Sequence, residues 1–166
     1  NNVAVGRNAM FANTTGTKNV AIGYNALTAS TVTGDSLNTA IGASALEANT
    51  AGYHLVAVGF AAQDANTHGI RNVSVGRDSL GSDTKGSYSV AIGDSALATQ
   101  NLTSATDVYN TAVGYFAGQT ITTGLKNVLI GANTGTQGTD LTTGSQNICI
   151  GHDTGVSANG AANQIA

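Results

Sequence analysis

The chain has 166 residues, of which only 9% are charged and 5% aromatic, with 22 Gly, no Pro, no Trp and a formal net charge of −3. A typical globular domain is about a quarter charged and disordered chains are poor in apolar residues, so 9% charged residues depart from an ordinary globular composition and 41% hydrophobic residues argue against disorder. Six Lys and Arg are too few to coat a nucleic-acid backbone, one Cys allows no internal disulfide, and no apolar run has the length that membrane insertion needs.

The order in the chain is a repeat. Asn-Val-Ala-Ile-Gly or a close variant occurs nine times, ending at Gly6, Gly23, Gly42, Gly59, Gly76, Gly93, Gly114, Gly131 and Gly151. Successive glycines lie 17, 19, 17, 17, 17, 21, 17 and 20 residues apart, so the base unit has 17 residues and the longer intervals hold insertions. Units start near residues 2, 19, 38, 55, 72, 89, 110, 127 and 147, and one repeat domain, 1–166, accounts for the chain. It opens at Asn1 already inside a unit, and the expectation is a segment cut from a longer fibre that continues past Ala166.

In chain order, each unit begins with a short predicted strand. The residue before the corner Gly (Val5, Ile22, Ile41 and their equivalents) and the one two places earlier (Val3, Val20, Thr39 and theirs) are all β-branched. They share one face of a strand, and their bulk predicts that this face lines the core. Between them stand Ala4, Ala21, Ala40, Ala57, Ser74, Ala91, Ala112, Leu129 and Cys149. A small apolar column on the opposite face predicts a close contact with another subunit through Ala4, Ala21, Ala40, Ala57, Ala91 and Ala112. The Gly after the strand fits a corner that has positive φ or no room for a Cβ.

A second segment follows, with Ala three places past the Gly and often Leu beside it, predicted as a second strand or extended run. Polar turns such as Asn13-Thr14-Thr15-Gly16 close the units, and the sixth unit carries the insertion 100–107, expected at the surface. Units this short cannot bury their own apolar faces, so they stack into an all-β, parallel β-solenoid or β-roll. Nine rungs at ~4.8 Å make a rod on the order of 40 Å long. Stacking in register also accounts for the lack of charge, since a charged column would oppose itself at every rung. An Asn column, Asn2, Asn19, Asn38, Asn72, Asn110, Asn127 and Asn147, is expected to form an amide ladder. From about residue 110 the Leu column becomes Gly118, Gly135 and Gly155, which predicts a change of cross-section.

Asn19-Val20-Ala21-Ile22-Gly23-Tyr24-Asn25-Ala26-Leu27 and its copies resemble the repeats of phage tail-fibre proteins and of trimeric autotransporter adhesin heads. The resemblance spans essentially all of the chain. It implies a left-handed parallel β-roll with β-branched residues inside, and a homotrimer. The 17-residue unit and the Asn-Thr-Thr-Gly turns depart from the adhesin heads and look more like phage fibres.

Catalytic chemistry needs convergent ionisable groups. His54, His68 and His152 occupy different places in their units, and Asp78, Asp94 and Asp153 read as lone turn carboxylates. No enzyme, cofactor or metal site is therefore expected. Binding chemistry is carried by the variable columns that flank the strand, where Arg7, Tyr24, Phe60, Arg77, Tyr88, Tyr109 and Tyr115 are candidate contacts for a host-surface glycan or protein receptor. The first reading is a structural and adhesive segment of an extracellular virion tail fibre serving host attachment. The alternative is a carbohydrate-binding bacterial surface adhesin head, and a minor one is an ice-binding solenoid, for which Thr14, Thr50, Thr67, Thr84, Thr122 and Thr142 supply a column.

Overall fold

The computed structural model describes residues 1–136 and 141–166. Among these residues there is no helix, and thirteen short strands occur. In chain order they are β1 Val3–Val5, β2 Gly16–Thr17, β3 Val20–Ile22, β4 Gly34–Asp35, β5 Thr39–Ile41, β6 Val56–Val58, β7 Val73–Val75, β8 Gly86–Ser87, β9 Val90–Ile92, β10 Thr106–Asp107, β11 Thr111–Val113, β12 Val128–Ile130 and β13 Ile148–Ile150. The nine three-residue strands form one parallel sheet in the order β1-β3-β5-β6-β7-β9-β11-β12-β13. Equivalent residues pair without a slip, from Val3 on Val20 and Ala4 on Ala21 to Leu129 on Cys149 and Ile130 on Ile150. The chain is a parallel β-solenoid of about eight turns, 17 residues apart at the base spacing. The longer second and sixth units each add a small parallel pair, β2 with β4 and β8 with β10.

Ile148 and Ser145 also bridge to Ile165 and Ala162, and the Gln164 N–H donates to Asn147 Oδ1 at 3.1 Å. A tenth rung thus begins at Asn163-Gln164-Ile165-Ala166, in which Gln takes the Asn place.

The inside and outside of the strands are the reverse of the expectation. Ala21, Ala40, Ala57, Ala91, Ala112, Leu129 and Cys149 are fully buried within the single chain. These alanines therefore face the solenoid's own core and not a partner, and Ala4, exposed on the first rung, pairs in register with Ala21 of the same column. None of the β-branched side chains in the two flanking columns is buried, and Val5, Ile22 and Ile150 are 56%, 38% and 58% exposed. The interior is narrow, and the opposite wall already fills it with Leu27, Leu46, Leu80 and Leu97. Only a methyl fits against them from the strand side.

That opposite wall is not a second strand. In the third unit Ala45, Glu47 and Asn49 donate their N–H groups to Gly42, Ser44 and Leu46 of the same rung, while Leu46 and Ala48 donate to Ala62 and Asp64 of the next. Ser44 and Leu46 have φ of 60° and 53°. Each left-handed residue reverses a peptide plane, so successive N–H groups point alternately along the rung and along the rod, and every one of them is bonded. The left-handed conformation costs about 1–2 kcal/mol for a residue with a side chain, and here it lets Leu46 turn fully inward.

The corner Gly is required by both criteria. Gly23 has φ of +142°, and a Cβ on it would lie 2.4 Å from the Gly42 carbonyl oxygen.

The Asn column links the two walls. In the third unit the Asn38 side-chain amide donates to the Gly52 carbonyl at 2.9 Å, and its Oδ1 accepts the Leu55 N–H of the next rung at 3.0 Å. The same pair of bonds recurs at Asn72, Asn110, Asn127 and Asn147. The column is thus mainly a side-chain to backbone staple. Direct amide-to-amide bonds join only Asn127 to Asn110 and Asn147 to Asn127.

The cross-section does change at the C-terminal side. Gly118 takes the place of Leu97 in the turn wall, and a Cβ on it would lie 2.7 Å from Leu129 Cδ1. Leu129 has replaced Ala in the strand wall, so core volume passes from one wall to the other without altering the register. The 100–107 insertion is only partly a surface loop, because Gln100 and Leu102 are buried while 103–105 are exposed.

Candidate interaction surfaces

The outer face of the large sheet carries two adjacent β-branched columns over nine rungs. Sixteen of these positions are Val or Ile and two are Thr39 and Thr111. Four sheet positions of equal parity point outward in each rung, as in Lys18, Val20, Ile22 and Tyr24, or Arg71, Val73, Val75 and Arg77. An apolar strip is thus bordered on each side by a column of aromatic and basic residues. A soluble monomer rarely shows a continuous apolar surface of this kind.

The border before Asn is rigid. Lys18, Leu37, His54, Arg71, Tyr88, Tyr109, Lys126 and Gln146 all have φ between 50° and 64°. Tyr88 stacks on Tyr109 with centroids 5.1 Å apart, and the Arg71 guanidinium lies 5.6 Å from the Tyr88 ring and 5.5 Å from the Tyr53 ring. Arg71 also donates to the Tyr88 hydroxyl at 3.0 Å. The other border is paired as well. Arg7 sits 5.9 Å from the Tyr24 ring, and Tyr115 stacks on Phe116 at 3.9 Å. Arg77 is held by Asp94 through Nε at 3.0 Å and Nη2 at 2.8 Å, and by Asp78 at 2.6 Å.

The candidate glycan contacts accordingly fall into two separate columns. Arg7, Tyr24, Phe60, Arg77 and Tyr115 lie past the corner, whereas Tyr88 and Tyr109 lie before the strand. Neighbours on adjacent rungs cover ring faces of Tyr24, Tyr88 and Tyr109, and Phe116 of the same rung covers one of Tyr115. Phe60, 58% exposed, has no ring or cation partner among the described residues.

The Thr column spends its donors internally. The hydroxyls of Thr50, Thr67 and Thr122 donate to the carbonyls of Thr67, Thr84 and Thr142 on the next rung. That ties rungs together and leaves few hydroxyl protons free to order water.

Ionisable chemistry is thin. Among the described residues no group of three His, Cys, Asp or Glu side chains is placed to hold a metal. Cys149 is buried in the inward column, and burial pushes its thiol up, away from the reactive thiolate. Asp83 is buried where the third and fourth units have Asn49 and Asn66, and its burial raises its pKa despite bonds from Gln100 and the N–H groups of Gly86 and Leu102. The β-branched face was missed as a surface, although Lys18 and Tyr24 share the parity of Val20 and Ile22 and so signal it.

No protein-family model, no curated protein and no solved structure matches the chain.

Proposed function

We propose that the chain is a non-enzymatic, self-associating fibre segment, whose outer Val and Ile face packs against further copies of the same chain. The carrying observation is that face, every side chain of which is exposed or half-buried in the single chain from Val3 to Ile150. Three residues across and nine rungs along, it spans roughly 10 by 40 Å. With its two borders it reaches roughly 900 Å² per chain, comparable to the ~800 Å² each partner contributes to a standard stable interface. Three copies is the number that the resemblance to tail-fibre and adhesin-head repeats implies. The same resemblance supports an extracellular virion tail fibre that spaces and presents a host-attachment module.

Sedimentation equilibrium tests the association. The chain is expected to run as a trimer, and the double variant Val75→Lys, Ile92→Lys as a folded monomer with an unchanged β-sheet circular dichroism spectrum. A monomeric parent chain refutes the reading.

A further inference from the structure

The second unit is longer than the base unit, with 19 residues between Gly23 and Gly42. Its extra length forms the loop 28–36, which leans over the third unit and leaves a half-open pocket of about 530 Å³. That volume lies within the range of about 300–1,000 Å³ found for small-molecule sites. Thr31, Thr33 and Asp35 line one side, and Thr50, Tyr53 and His54 the other.

The hydrogen-bond state of these groups selects the ligand. Thr31 and Thr50 donate their hydroxyl protons to the carbonyls of Thr50 and Thr67, both at 3.1 Å, so what they retain is lone pairs. Asp35 accepts from Lys18 Nζ at 2.6 Å and from Thr17 Oγ1 at 2.8 Å, and these bonds hold its carboxyl below the usual range and therefore ionised. Tyr53 is clamped, with His54 edge-on at 5.0 Å and Arg71 5.5 Å from its centroid. The pocket thus combines a surplus of acceptors, one carboxylate and a fixed aromatic ring. A ligand with several O–H donors and an apolar C–H face satisfies all three, and Asp35, already paired with Lys18, adds no net charge that would draw an anion.

From this geometry we propose that the pocket between loop 28–36 and the third unit binds one or two residues of a neutral saccharide. It adjoins the Val and Ile face at His54, but all of its lining comes from a single chain. The test is isothermal titration of the whole chain, in its own oligomeric state, with methyl glycosides of glucose, galactose and N-acetylglucosamine, and with N-acetylneuraminic acid as the anionic comparison. At least one neutral glycoside is expected to bind saturably. Ala51→Phe, which fills the pocket from an exposed position in its lining between Thr50 and Tyr53, and Tyr53→Ala are each expected to weaken that binding by about tenfold or more, and Tyr24→Ala to leave it unchanged. Ala51 makes no side-chain hydrogen bond, so Ala51→Phe remains a fair test if Tyr53→Ala fails to fold. Absence of saturable binding by all three neutral glycosides, binding that survives Ala51→Phe, or tighter binding of the anionic sugar would each overturn the assignment. Sedimentation reports on the outer face and titration on this pocket, so either proposal can fail alone.

Discussion

Asn127 donates from Nδ2 to the Gly144 carbonyl at 2.9 Å across the solenoid interior, and its Oδ1 accepts the Asn147 N–H at 3.0 Å. One buried side chain thus ties the strand wall to the turn wall and one rung to the next. Asn127→Ala strands a buried carbonyl and a buried N–H together, each worth about 1–3 kcal/mol when left unpaired. The expected loss is about 2–4 kcal/mol, read as a lower urea midpoint at unchanged slope. Asn127→Asp keeps the acceptor but sets a buried carboxylate oxygen against the Gly144 carbonyl, and is expected to cost at least as much as Asn127→Ala near neutral pH.

The period, the parallel register and the corner Gly are all legible in the sequence, because stacking repeats the same constraint at each rung. Which face is inside was not decided by residue size. Alternation divides Asn19 and Ala21 from Val20 and Ile22, but it does not say which pair is buried. The larger side chains face outward because Leu27 and Leu46 reach the interior from the other wall. Those leucines do so from left-handed backbone, which nothing in a Leu residue announces. The pocket was equally hidden, since it arises where one inserted loop meets Tyr53 of the next unit, a proximity that exists only once the units are stacked.

Gly118 and Leu129 exchange core volume, Gly118 standing one rung on from Leu97 and Leu129 one rung on from Ala112. Leu129→Ala opens a cavity and is expected to cost about 2–5 kcal/mol. Gly118→Leu alone overpacks, because a Cβ there already meets Leu129 Cδ1 at 2.7 Å. The backbone itself tolerates Leu, as φ is +61° at Gly118 and 51° at Leu97. The double variant rebuilds the arrangement of the earlier rungs and is expected to recover most of the loss. A double-mutant cycle in urea measures this coupling, and strict additivity would contradict the volume exchange.

Lys126 is exposed, has φ of 59° and makes no side-chain hydrogen bond or ion pair among the described residues. Gly accepts this conformation without the roughly 1–2 kcal/mol that a Cβ costs, although its freer unfolded chain takes back about 0.4–1 kcal/mol. Lys126→Gly is therefore expected to stabilise by up to about 1 kcal/mol, seen as a raised thermal midpoint. The same change at Leu46, also left-handed but buried, is expected to destabilise strongly through lost packing.

Asp83 occupies a place held by Asn in the two preceding units, and it makes no ion pair among the described residues. Its bonds come from the Gln100 amide and from the N–H groups of Gly86 and Leu102. Burial is the largest influence and raises its pKa above the ordinary 3.8. In the pH range between the unfolded and the folded pKa the native state binds more protons than the unfolded state, so stability falls as pH rises through that range. The penalty is absent below the ordinary carboxylate range and complete above the raised native value. Asp83→Asn removes the charge and keeps an oxygen to accept the Gly86 N–H, as Asn49 does for Gly52 at 3.0 Å. The variant is expected to melt above the parent chain near neutral pH, with the gap closing as the solution is acidified toward pH ~3.8. Thermal denaturation along a pH series measures the gap, and a gap that widened on acidification would show that the ionised Asp83 stabilises the fold.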